Sequence, residues 1–367
     1  MRKAYLDGIR GWAALMVLFS HLVHNFAAQA APALNKPVLL FPTDGALAVY
    51  FFFVVSGFAL STRFVNTGAV RDVTSMAIRR YPRLFIPIAV ATAMSFVVWR
   101  AGLIFSHQAA PLANSDWWLG TFYNFSPSIW GAVKFATFDV FFAYNGETTY
   151  NSAFWTMQVE LFGSMLVFGL MTVFAPAKRW PVYLASFVIL LFLKTPMLAF
   201  LLGMFAAEID RLRDAKNKAS QAVENIVGYI GIAAVVGFST LGRSWYDDPR
   251  ALAIAAFVFV IAVMHVERAQ RFFLNRVSQA LGKISFPLYL THMLVICSLS
   301  SYLYVHWLAT GMSRQAASNL MIAATLPAVF LLAWCFYPIE LKAIALSRSF
   351  SDRLLGQHNE QAALTRS

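Results

Sequence analysis

Apolar residues in this chain come in long unbroken runs rather than in alternation with polar ones. A run of about 20 apolar residues can cross a bilayer as a helix, and in lipid only helices or closed barrels satisfy their own backbone. Continuous runs select helices over barrel strands. The pattern predicts ten spans, near residues 11–31, 44–62, 84–106, 154–174, 181–194, 196–209, 223–241, 250–266, 284–305 and 316–337. The fifth and sixth are short, and Lys194-Thr195-Pro196 between them suits a tight hairpin. Residues 107–153 form a long aromatic loop, part of it expected at the membrane interface, where Trp and Tyr are favoured. Asp139 argues against a lipid-exposed span there. The expected fold is an all-α polytopic membrane protein, with an integral-membrane domain over 1–340 and a short polar tail over 341–367.

Charge orients this arrangement. With both termini placed in the cytoplasm, 22 of the 29 Lys and Arg residues fall on the inner side and 7 on the outer. That is the asymmetry of cytoplasmic loops, and an odd number of spans would scramble it. Only 13% of the residues are charged, against roughly 25% in a soluble domain. The net charge of +12 therefore reads as attraction to anionic membrane lipid rather than to nucleic acid. The first apolar run carries Arg10, His21 and His24 and has no small-residue cleavage site, so no cleavable signal peptide is expected. Cys297 and Cys335 both lie in apolar runs, which speaks against a disulfide framework or a metal site.

Charged or titratable groups inside spans are costly and are functional candidates by default. Arg10 and His21 are eleven residues apart. On a helix they share one face, roughly 16 Å apart along the axis, from a cationic mouth to an imidazole at depth. Asp7, three residues earlier, is a natural partner for Arg10. Glu160 and His292 reach depths similar to that of His21, which suggests a shared polar cavity, although a hydrogen-bonded structural histidine would also account for His21. Arg79, Arg80 and Arg83 in "RRYPRLFIP" suit a phosphate clamp, because guanidinium pairs bidentately with phosphate; positive-inside anchoring is the plainer alternative. Pro82 and Pro87 are expected to break the helix and hold that segment as a turn. Ser56-Gly57 suits close helix packing.

These stretches occur in one order: "YLDGIRGWAALMVLFSH", "FFFVVSGFALS", "RRYPRLFIP", "FWTMQVELFG", "ISFPLYLTHM" and "WCFYPIE". The set resembles acyltransferase family 3, the integral-membrane bacterial O-acyltransferases, over residues 4 to about 340. The resemblance implies transfer of an acyl group, commonly acetyl, from cytoplasmic acyl-CoA to a hydroxyl of a saccharide or lipid-linked saccharide, in the inner membrane and without a metal; some members acylate small secondary metabolites instead.

The residue types suit that reaction. An imidazole takes a hydroxyl proton near neutral pH, a cation or donor stabilises the developing oxyanion, and arginines hold CoA phosphates. His21 is thus assigned as general base, with Arg10 at the CoA mouth. Arg79, Arg80 and Arg83 are assigned to the CoA phosphates, Glu160 to support of the histidine or acceptor, and Tyr289 and His292 to the cavity wall. Three features depart from the family pattern. Tyr50 stands where an acidic residue is frequent, Leu341-Lys342 follow Glu340 where proline is frequent, and the esterase-like domain often fused to the family is not seen. The rival class is a transporter or flippase of a saccharide or acylated metabolite; it would show internal repeats or helices broken at mid-membrane, and neither stands out.

Overall fold

A computed structural model describes residues 3–173, 179–214, 221–241 and 248–356. Beyond them lie the last part of the expected tail, and Arg2, Lys178, Lys216, Lys218, Arg243 and Arg366 of the charge count. Among the described residues the chain is helical, and each predicted span falls on one helix. These are α1 (Ala4–Ala30), α2 (Gly45–Thr67), α3 (Val70–Arg100), α4 (Trp155–Val173), α5 (Arg179–Leu193), α6 (Met197–Asp214), α7 (Gln221–Leu241), α8 (Pro249–His265), α10 (Arg276–Ala309) and α11 (Arg314–Leu354). The short α9 (Glu267–Leu274) lies between α8 and α10 and is bent 96° from α8.

Seven helical segments are long and apolar enough to cross a membrane, or eight if α8 and α9 form one bent span. The chain is an all-α polytopic membrane protein. Of the remaining helices, α6 carries Glu208, Asp210, Arg211 and Arg213 in its last two turns. At 15 residues, α5 is only about 22 Å long, short of a hydrocarbon core of about 30 Å. The expected tight turn joins the two, with Lys194 in the left-handed region at φ 50°.

One local expectation is overturned. Pro82 and Pro87 do not break the chain; α3 runs unbroken through both, so Arg79, Arg80 and Arg83 sit on a continuous helix rather than in a turn. The prolines remove the hydrogen bonds to the carbonyls of Ile78 and Arg83. A helix packed among others tolerates that loss, because neighbouring groups and small local adjustments satisfy the freed carbonyls. At the other end of the chain, α11 continues through the first part of the segment read as a tail, as far as Leu354.

Two close approaches set the positions of the helices that matter most. A Cβ on Gly11 would stand 2.5 Å from the backbone nitrogen of Gly282, so α1 and α10 touch backbone to backbone. A Cβ on Gly57 would stand 2.1 Å from the carbonyl oxygen of Phe200, which sets α2 against α6 in the same way. The aromatic loop folds onto one end of the bundle. Asn151 is buried and donates to Leu290 O at 2.9 Å, Phe105 N donates to Cys297 O at 2.9 Å, and Ser115 Oγ donates to Asn25 O at 2.7 Å.

Candidate active site

From the Gly11–Gly282 contact, α1 and α10 each run ten residues further, about 15 Å, to a histidine. There His21 Nδ1 and His292 Nε2 stand 2.9 Å apart. Both helices are π-helical nearby, α1 over Ser20–Ala27 and α10 over Ile296–Ser300. Such segments widen a helix by one residue per turn and recur at functional sites. His292 is buried, and its Nδ1 lies 3.1 Å from Leu288 O, one turn earlier. The Nε2 of His21 makes no hydrogen bond among the described residues. Trp118 of the aromatic loop lies against the His21 ring at 5.2 Å between centroids, tilted by 28°.

Tyr289, one turn before His292, packs its ring against that imidazole at 5.7 Å. Its hydroxyl donates to Ala153 O at 2.7 Å and stands 2.8 Å from Thr156 Oγ1. That hydroxyl is buried and lies within electrostatic reach of Glu160. Tyr289 therefore links the histidine pair to a second polar group.

In that group, the Glu160 carboxylate is held by Arg80 through Oε2 and by Ser56, whose Oγ donates to Oε1 at 2.9 Å. Arg80 is buried, and Arg10 and Arg83 lie close enough to act on it electrostatically, with Glu340 nearby. Three guanidiniums thus face two carboxylates. Among the described residues, the buried Nε atoms of Arg10 and Arg80 have no hydrogen-bond partner. Leaving a buried donor unsatisfied costs about 1–3 kcal/mol, and more on a charged group, so both guanidiniums retain unmet hydrogen-bonding capacity.

The sequence candidates divide accordingly. His21 and His292 come together in direct contact, while Arg10, Arg80, Arg83 and Glu160 gather at the Arg/Glu cluster. The bonds of Glu160 go to Arg80 and Ser56 rather than to an imidazole. Arg79 faces elsewhere, with its Nε bonded to Ser75 O at 3.1 Å and Arg348, Asp352, Arg63 and Asp72 around it. The Ser56-Gly57 pair separates by role, since Gly57 packs against Phe200 and Ser56 binds the carboxylate. Trp118, Thr156 and Asn151 are additions that helix-face reasoning did not reach, because two of them lie in a loop with no periodic pattern.

The comparisons with known proteins follow the same line. The family model described as "Acyltransferase domain" matches residues 3–338, so the chain belongs to this acyltransferase family, the one its motifs resemble. It is 23% identical over 426 residues to the O-acetyltransferase PaAT-1 of Phomopsis amygdali, covering 96% of this chain and 85% of that protein. No solved structure matches. The chain is an O-acyltransferase.

Proposed function

We propose that this member of the acyltransferase family moves an acyl group, acetyl in the first instance, from cytoplasmic acyl-CoA to a hydroxyl of a saccharide or lipid-linked saccharide, within a bacterial inner membrane. The observation that carries the reading is the His21 imidazole, engaged at Nδ1 and unengaged at Nε2, ten residues beyond a fixed helix contact. Nε2 takes the acceptor hydroxyl proton as the new C–O bond forms at the thioester carbonyl. When the tetrahedral intermediate collapses, the C–S bond breaks, and the CoA thiolate takes that proton back from Nε2. Such base catalysis contributes about 10²–10⁴-fold.

The Arg/Glu cluster supplies the other requirement. Arg10 and Arg83 carry fixed positive charge at the arginine-rich end of the bundle, and Arg80 is held in place by Glu160. Arginine does not lose its proton in a protein, so this charge persists through the reaction and suits phosphate or a developing oxyanion. The excess cation and the unsatisfied Nε atoms support an anionic substrate. Arg79 reaches the same substrate only if the CoA extends toward Arg348. Tyr289 lies against His292, and Trp118 covers the His21 ring on the side of the aromatic loop.

The test is acetyl-CoA binding and free-thiol release by purified protein, wild type against His21→Ala. Binding by both with thiol release by wild type alone is the expected result. Equal thiol release would remove His21 from the chemistry. No binding to either would favour a transporter, with the arginine–histidine face as its path.

A further inference from the structure

We infer that His292 is a positioning residue that selects the proton-accepting tautomer of His21; the inference rests on the reading of His21 as general base. A carbonyl oxygen only accepts, so His292 Nδ1, 3.1 Å from Leu288 O, carries a hydrogen. A neutral imidazole protonated at Nδ1 has its lone pair at Nε2. That atom faces His21 Nδ1 at 2.9 Å. Two facing nitrogens need one proton between them, so it resides on His21 Nδ1. The lone pair of His21 is then left at Nε2, the nitrogen with no hydrogen-bond partner among the described residues.

The ring geometry agrees. The planes are within 7° of parallel and the centroids are 5.2 Å apart, which is the N···N contact plus two ring radii. The rings therefore meet edge to edge. An imidazole N–H lies in its ring plane, and this is the alignment an in-plane N–H···N bond requires. His292 cannot itself serve as base toward substrate, because one of its nitrogens faces Leu288 O and the other faces His21.

The consequence extends through the reaction. An imidazole without an anchor carries its proton on either nitrogen, and the wrong choice leaves no acceptor for the substrate proton. When His21 becomes imidazolium, its Nδ1–H bond to His292 becomes charge-assisted and stronger. His292 thus stands where the aspartate stands in a Ser-His-Asp triad. Being neutral, it costs less to bury in an apolar bundle than a carboxylate. The Gly11–Gly282 contact and the Trp118 ring hold the pair in register from two other directions.

Two substitutions separate tautomer control from packing. In His292→Gln the side-chain amide oxygen reaches the place of Nε2 and accepts from His21. In His292→Asn the amide reaches only the place of Nδ1, keeps the bond to Leu288 O and leaves His21 without an acceptor. His292→Gln is expected to stay within about tenfold of wild-type kcat. His292→Asn is expected to lose about 10²-fold or more, with KM for acetyl-CoA unchanged. Nitrogen-15 NMR of histidine-labelled wild-type protein, with His21 assigned by its loss in His21→Ala, should show pyrrole-type Nδ1 and pyridine-type Nε2. Equal loss of kcat in both folded variants, or a His21 protonated at Nε2, overturns the inference. If the asparagine variant fails to fold, the wild-type spectrum decides. If wild type neither binds nor consumes acetyl-CoA, the functional reading fails, and the spectrum still decides the tautomer.

Discussion

On one side of the site two imidazoles from α1 and α10 meet edge to edge beneath a tryptophan; on the other, arginines from α1 and α3 gather around Glu160 and Glu340. Both sides place polar groups inside an apolar bundle, and they solve the cost differently. An imidazole can be buried as a neutral ring, and each of these has a hydrogen-bond partner, so burying the pair need take little charge out of water. The arginines keep their charge and need carboxylates to hold it. A neutral group can gain and lose a proton during a turnover, whereas a guanidinium cannot. On the proposed reading, proton transfer falls to α1 and α10, and anion binding to arginines of α1 and α3.

Under that division, substitutions on the two sides fail in different ways. The largest expected effect is His21→Ala, which should lower acyl transfer by about 10²–10⁴-fold and cost only about 1–3 kcal/mol of stability in detergent, for the His292 Nε2 it leaves without a donor. A large loss of stability in that variant would make the histidine side structural too. Glu160→Ala should do the opposite first. It strands Arg80 in the bundle and should destabilise the protein by about 3–5 kcal/mol in thermal or denaturant unfolding. The double variant Glu160→Leu with Arg80→Met should recover most of that stability while acetyl-CoA binding stays impaired. Recovered binding would show that the pair is there for folding alone.

Gly11→Ala sharpens the comparison at the contact that places the histidines. Its Cβ would meet Gly282 N at 2.5 Å, so the helices must part, at about 1–3 kcal/mol. The His21–His292 bond should lengthen, and kcat should fall more than KM for acetyl-CoA rises. Equal changes in both would mean that the arginine end is disturbed as much as the histidine end.

The smallest effect is expected away from both. Asp248 caps α8, accepting from Arg250 N at 2.9 Å and pairing with the Arg250 guanidinium. The side-chain hydrogen bond from Arg250 pulls its carboxyl down to about 2. Because that lies below the ordinary carboxylate value of about 4, the pair's contribution is fully present above about pH 4 and is lost as pH falls toward 2. Asp248→Asn should cost no more than about 1 kcal/mol and remove that acid dependence, with acyl transfer at neutral pH unchanged.

Much of this was legible along the chain because span length and buried charge are local properties. Ten apolar runs mark ten helices, and the rarity of His21, Glu160 and His292 inside them, with Arg10 at the mouth of the first, marks the candidate site. The fate of the prolines was not legible. Pro82 and Pro87 are helix breakers by local rule, and α3 continues through them because its neighbours, absent from any local window, hold the segment in place. The three arginines of "RRYPR" look like one clamp in sequence, but packing divides them, with Arg79 toward α11 and Arg80 and Arg83 toward Glu160.

What the sequence by itself determined is the all-helical membrane fold, the positions of the apolar helices and the family motifs, because bilayer thickness and backbone satisfaction leave a long apolar run no other choice. Partnership was decided only by tertiary structure. Nothing in the spacing of residues joins His21 to His292, which are 271 positions apart, or Ser56 to Glu160, or brings Trp118 out of an irregular loop onto an imidazole. Those pairings depend on where two glycines let α1 and α10 touch and on how a non-periodic loop folds back, and both are set by packing between distant segments rather than by any pattern within one.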